Sequence, residues 1–135
     1  MREIVPEVFA RDWIAAWNRS DVEAVLAHHA DDAVFVSPLA ATVTGDPEVR
    51  GKANLRAYWS EALRSRPSPP QFSLESFTWD GEEHALLIVY VSTEQNRVVR
   101  KCELMHFGPD GLIHRGEGFA GAVIASVSPG GSRSI

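Results

Sequence analysis

The stretch QFSLESFTWDGEEHALLIVYVSTEQNRVVRKCELMHFGPDGLI, residues 71–113, alternates apolar and polar side chains and is interrupted by Asp80-Gly81, Gln95-Asn96 and Pro109-Asp110-Gly111. Successive side chains of a strand point to opposite faces, so a period of two marks strands with one buried face. The spacing predicts strands near 71–79, 83–94, 98–107 and 112–121, joined by tight turns as an antiparallel meander. Within the first strand the alternation changes phase: Phe72 and Leu74 share one parity, Phe77 and Trp79 the other. A bulge near Ser76 accounts for the change and bends the sheet, so that it can curl around something.

Upstream, the period is helical. Val5, Val8, Phe9, Trp13, Ala16 and Trp17 recur on one helical face behind Pro6, which a first turn tolerates. Ser20 followed by Glu23 has capping-box spacing and starts a second, short helix running through Val22, Val25, Leu26 and His29 to about Ala30. Ala33 to Ser37 favour a strand, and Pro38 marks its end or an edge. The segment TGDPEVRGKANLRAYW (44–59) begins as a Gly/Asp/Pro loop, a flexible lip, and becomes a third helix. Leu55, Tyr58, Trp59, Ala62 and Leu63 form its apolar face; Arg64 and Arg66 suit its negative C-terminal end, and Pro67, Pro69 and Pro70 stop it. Three helices covering the concave side of a strongly curved antiparallel sheet make an α+β cone enclosing a pocket. The single domain is expected to span residues 1–125, with 126–135 as a flexible polar tail.

The 135 residues are 44% hydrophobic and 23% charged, ordinary values for a folded globular chain. A net charge of -5 offers no electrostatic footprint for nucleic acid or an anionic membrane, and no apolar run is long enough to span a bilayer. The charges and proline of MREIVPEVFARDW do not fit a secretory signal, so a cytoplasmic setting is expected. Cys102, the sole cysteine, lies in a strand pattern and reads as a small buried hydrophobe. His28-His29-Ala30-Asp31-Asp32 has metal-like composition, but adjacent helical residues point apart; neither a metal nor a cofactor is predicted. Gly116, Gly118 and Ala120 alternate on the last strand. They either leave room inside the cone or mark a bend, two readings that the residues leave equal.

AAWNRSDVEAVLAHHADDAVFVSP, VRGKANLRAYW and FGPDGLI, in this order, resemble the NTF2-like superfamily, in particular its SnoaL-like and ketosteroid-isomerase-like branch. The resemblance covers roughly residues 7–121 and implies a cone-shaped α+β domain. As a guide to function it is broad, because this superfold hosts enzymes, binding domains and interaction modules. Ketosteroid isomerases use an aspartate base, a tyrosine and a protonated aspartic acid. The resemblance puts Ser37 at the base position, where a hydroxyl without a neighbouring base cannot do that work. It puts Trp13 at the tyrosine position, where the indole N–H can donate but cannot transfer a proton; a plain core role is an equal alternative. Glu103 falls at the oxyanion acid, and its parity places it on one face with Met105 and Phe107. Burial there raises a carboxyl pKa. Its alternative is a surface glutamate paired with a cation. Trp59, with Tyr58 beside it, matches a supporting aromatic, or is simply packing.

The expected cavity is lined by Trp13, Trp17, Phe35, Tyr58, Trp59, Leu86, Ile88, Tyr90, Met105 and Phe107, with Ser37 and Glu103 as its polar points. It suits a small, largely hydrophobic molecule bearing one or two oxygens. Glu103 would serve an isomerase-, cyclase- or dehydratase-type proton transfer; the alternative is a non-catalytic ligand-binding or protein-interaction domain. Leu87, Val89, Val91, Leu104 and Phe119 on the outer sheet face lead to an expected homodimer.

Overall fold

The computed structural model describes residues 3–127 and 133–134. In chain order the elements are α1 (Pro6–Asn18), α2 (Val22–Leu26), β1 (His29–Val36), α3 (Pro38–Thr44), β2 (Glu48–Arg50), α4 (Lys52–Arg64), β3 (Gln71–Asp80), β4 (Ala85–Glu94), β5 (Arg97–Phe107), β6 (Ile113–Val127) and β7 (Arg133–Ser134). The sheet order is β2-β1-β6-β5-β4-β3, with β7 pairing β6 off this path. The meander β3 to β6 is antiparallel as its period requires, and its first strand carries the predicted bulge: Leu74 pairs with Tyr90 and Ser76 with Val89, leaving Glu75 as the extra residue. Phe72, Leu74 and Trp79 thereby all pack on the core although their parity differs.

Several expectations are corrected. The sheet is not wholly antiparallel, because β1 runs parallel to β6 (Phe35 opposite Gly116). The second helix ends at Leu26, and His29 opens β1 instead of closing a helical face. Its N-cap is Asp21, whose carboxylate accepts from the Ala24 amide at 3.0 Å, while Ser20 takes a left-handed φ of 56°. A carboxylate satisfies the orphan amides of a first turn as well as a hydroxyl does, which is why the spacing alone misplaced the cap by one residue. Pro38 begins a helix: Ser37 caps α3, accepting from the Leu39 and Ala40 amides at 3.1 and 3.4 Å. The supposed flexible lip is instead a short turn that leaves α3 at Gly45 and enters β2, which pairs with β1. Gly51, at φ 86°, turns the chain from β2 into α4. The domain boundary expected at 125 falls inside β6, and Arg133–Ser134 pair back onto that strand; 128–132 and 135 of the expected tail lie outside the described residues.

Helices α1 and α4 lay their apolar faces on the concave side. Phe9, Ala10, Trp13, Ile14 and Ala16 of α1 and Leu55, Tyr58 and Trp59 of α4 are buried against the sheet. Removing a side chain such as Leu55 from water contributes roughly 1.5–3 kcal/mol. At the end of α1, Asn18 locks onto the edge strand: its Nδ2 donates to the Phe72 carbonyl (2.9 Å) and its Oδ1 accepts from the Phe72 amide (2.7 Å). This clamp sets the start of β3, and with it Phe72, beneath α1. No helix among the described residues is long and apolar enough to cross a membrane.

Candidate functional site

Toward one end of the cone the packing leaves a partly open cavity of about 160 Å³. That is close to the roughly 150 Å³ of an apolar cavity that holds one benzene molecule, so the enclosed part has room for about a single ring. The wall is aromatic, with Trp17 against Trp59 (5.4 Å between ring centres), Trp59 against Phe35 (5.4 Å) and Phe72 against Tyr90 (4.5 Å).

Glu103 belongs to this wall. In β5 it lies opposite Ile88 of β4 and Gly118 of β6, is 7% exposed, and has no hydrogen-bond or ion-pair partner among the described residues. Burial disfavours its charged form and pushes its pKa up to about 8. The Tyr90 hydroxyl is driven well above its ordinary range by burial, with the Glu103 charge adding to the effect. Tyr58 is raised too, again chiefly by burial; a hydrogen bond from Ser37 and the Arg66 charge pull the other way. Each of these shifts favours the neutral, protonated form at neutral pH.

The glycines of β6 make this arrangement possible. A Cβ at Gly116 would stand 3.3 Å from Phe35 Cδ1 and 3.9 Å from Glu103 Oε2; one at Gly118 would stand 3.5 Å from Phe35 Cζ and 3.7 Å from Ser37 Cβ. Gly116 and Gly118 themselves pair in regular register, with Met105 and Glu103; the irregular pairings of β6 with β5 fall on either side, between Ile113 and Arg115 and between Ala120 and Ala125. Of the two readings left open, the inward-facing one holds: Gly118 and Ala120 line the cavity, and Gly116 admits Phe35.

Of the residues expected on the cavity, Trp13, Trp17, Phe35, Ser37, Tyr58, Trp59, Tyr90 and Glu103 lie on this wall. Leu86, Ile88, Met105 and Phe107 do not. The first three are wholly buried, and Phe107 packs on Phe9 (5.2 Å) and Trp79 (5.9 Å). They share the inner face but belong to the packed core cluster and do not border the void. Trp13 serves both purposes: 2% exposed, it touches the cavity while stacking on Phe72, and its Nε1, like that of Trp17, has no acceptor among the described residues. The Ser37 Oγ is occupied as a helix cap, accepting from two α3 amides.

Sequence reasoning missed Phe72, Leu39, Arg66 and Lys101 on the wall. Phe72 carried a signal in its parity with Leu74; Leu39 belongs to an unforeseen helix, and Arg66 had been read only as a helix-end charge. The metal-like run is structural: His29 is buried with its Nδ1 3.0 Å from the Val25 carbonyl, and burial lowers its pKa to about 4. Among the described residues no three His, Cys, Asp or Glu side chains converge as a metal site would require.

A SnoaL-like protein of unknown function from Burkholderia thailandensis E264 is 31% identical to this chain, with a TM-score of 0.76 over 87% of this chain and 94% of that one. More distant solved structures share the fold. A candidate ketosteroid isomerase from Kribbella flavida DSM 17836 is 17% identical (TM-score 0.67, covering 85% of this chain and 76% of that one). SalBIII, an epoxide hydrolase/cyclase-like enzyme with a role in pyran ring formation in salinomycin, is 14% identical (TM-score 0.66, covering 86% and 90%). No curated protein matches the chain. The family model of the SnoaL-like domain matches residues 10–116, and with the NTF2-like cone described above the chain belongs to the SnoaL-like domain family.

Proposed function

We propose that this protein binds a small, mostly hydrophobic, oxygen-bearing molecule in the cavity and catalyses a proton transfer of the isomerase, cyclase or dehydratase type, with Glu103 as the acid. The observation that supports this is the buried, unpartnered Glu103 carboxyl on an aromatic wall. Burying such a group without a partner is costly, and a site that donates a proton at neutral pH gives the cost a purpose. Protonated Glu103 would give its proton to a ligand carbonyl oxygen. The carboxylate formed would then remove a proton from carbon next to that carbonyl, making an enol. Returning the protons in the reverse order at a different carbon moves a double bond and restores the enzyme. Tyr58 would hydrogen-bond the same oxygen. The candidate isomerase and the hydrolase/cyclase-like enzyme among the fold neighbours support the reaction class. A cytoplasmic setting belongs to the same proposal.

The test is conversion of cyclohex-3-enone to its conjugated isomer, followed by ultraviolet absorbance, together with ligand-induced thermal shift. Wild type should accelerate the isomerisation, and Glu103→Gln should lower the rate by roughly 10²–10⁴-fold, the usual contribution of a positioned acid–base group. The proposal fails if neither turnover nor a thermal shift is found with cyclic ketones, phenols or ring acids. Binding without turnover would support a second reading, a ligand-binding domain without catalysis. Ser37 favours that reading, because its hydroxyl caps α3 where the isomerases resembled by the sequence place their base.

A further inference from the structure

The cavity wall carries two cations, Lys101 and Arg66, and they differ in one respect. Lys101 is committed: its Nζ lies 2.6 Å from Glu94, which also accepts from Ser92 and Arg97. Arg66 is not. Helix α4 ends at Arg64, which is exposed and paired with Glu61. Two residues on, the Arg66 amide donates to the Leu63 carbonyl at 3.3 Å, and Pro67, Pro69 and Pro70 then hold the chain off the helix axis. The side chain is left half-buried, between the cavity and a surface groove shared with Ser68, Asn96, Arg97 and Glu94, the last already paired with Arg97 and Lys101. Seven of the described arginines grip carboxylates, as in Arg56–Glu23 and Arg100–Glu75; Arg66, on the cavity wall, has no such partner among the described residues. Its charge reaches the Tyr58 hydroxyl on the same wall.

Among the described residues Glu103 is the only carboxyl on that wall, and its burial favours the neutral form at neutral pH. The positive charge at the rim is therefore not cancelled from within the cavity. A guanidinium presents paired N–H donors that match a carboxylate, and a partly desolvated one gains more from that match than one in water. The enclosed space is that of one ring, and the wall is aromatic. We propose that the ligand is a small ring-bearing carboxylic acid bound as its anion, with Arg66 holding the carboxylate at the rim and the ring lodged among Trp17, Trp59, Phe72 and Tyr90. The proposal rests on the ligand-binding reading of the same cavity and adds the charge and size of what it takes.

Three tryptophans on the wall make intrinsic fluorescence a direct probe. Benzoate and its neutral counterpart benzamide would be titrated at pH 7 into wild type, Arg66→Met and Arg66→Lys, at low and at high salt. Wild type should prefer benzoate. Arg66→Met should weaken benzoate about tenfold or more while leaving benzamide unchanged, Arg66→Lys should recover part of the loss, and salt should weaken benzoate alone. Equal benzoate binding by wild type and Arg66→Met, or equal affinity of wild type for both compounds, would overturn the proposal. Benzamide or cyclohexenone binding that depends on Glu103, without any preference for the anion, would sink this inference and leave the proposed function standing. Absence of binding by all of them at millimolar concentration would sink both. Matching thermal unfolding of the three proteins checks that a half-exposed side chain has been changed without loss of the fold.

Discussion

Replacing Glu103 by Gln should make the protein more stable at neutral pH, and the gain should vanish in acid. The carboxyl has an ordinary pKa of 4.5 in the unfolded chain and about 8 in the fold. Below 4.5 both states hold the proton and the residue adds no pH dependence. Between the two values the folded state keeps a proton that the unfolded state releases, so stability falls as pH rises, by about 1.4 kcal/mol per pH unit. Above 8 the loss is complete. Between pH 5 and pH 7.5 wild type should therefore lose about 3 kcal/mol relative to Glu103→Gln, whose amide fills the same space and does not titrate. Other titrating groups are common to both proteins and cancel in the difference. Urea unfolding of the two proteins across this range reads the effect directly from paired midpoints and slopes. Parallel stability curves would mean that Glu103 ionises in the folded protein as it does in water, and the acid role would have lost its physical basis. A stable but less active variant is what a trade between stability and activity at this site requires.

Leu86→Ala and Met105→Ala should each cost about 2–5 kcal/mol in denaturant unfolding yet leave ligand affinity unchanged, because these side chains are wholly buried away from the cavity. A selective loss of affinity in a folded variant would put them on the wall after all. Gly118→Val should do the reverse: its Cβ meets only ordinary contacts at 3.5–3.9 Å, while its methyl groups enter the cavity, so binding should fall with a stability change within about 1 kcal/mol. Thermal unfolding with and without benzoate separates the two effects. A homodimer through the outer sheet face is a further proposal, resting on half-exposed Leu87, Val89, Val91 and Leu104 beside Phe119 at 43% exposure. Light scattering should give twice the chain mass for wild type and the chain mass for Phe119→Lys; a monomeric wild type would remove the idea.

Much of the architecture was legible because it is written in periods. Alternation from Gln71 onward specified the meander, the change of phase between Leu74 and Phe77 specified the bulge, and Leu55, Tyr58 and Trp59 specified the buried face of α4. Parity alone placed Glu103 on the inner face. Misplacements came where a single residue can serve two local structures. Asp21 and Ser20 are both helix caps by chemistry, and only the chain path chose between them. Pro38 ends a strand and opens a helix equally well, so Ser37, expected as a polar point of the pocket, proved also to be the cap of α3.

Which side of each element faces inward can be read from the residues alone, since it depends on repeats of two and 3.6 along the chain. Depth along the inner face was decided only by the tertiary structure. Ile88 and Glu103 are cross-strand partners and share that face, yet one is core and the other touches the void. The cavity is the space that α1, α4 and the bent sheet fail to fill, and its outline depends on how far each reaches over the others. Arg66 shows the same limit for charge: an arginine past a helix end is an ordinary sight in a sequence, and only the proline-fixed path beyond Ser65 brings it to the rim, where no carboxylate among the described residues pairs with it and nearby Glu94 is taken by Lys101 and Arg97.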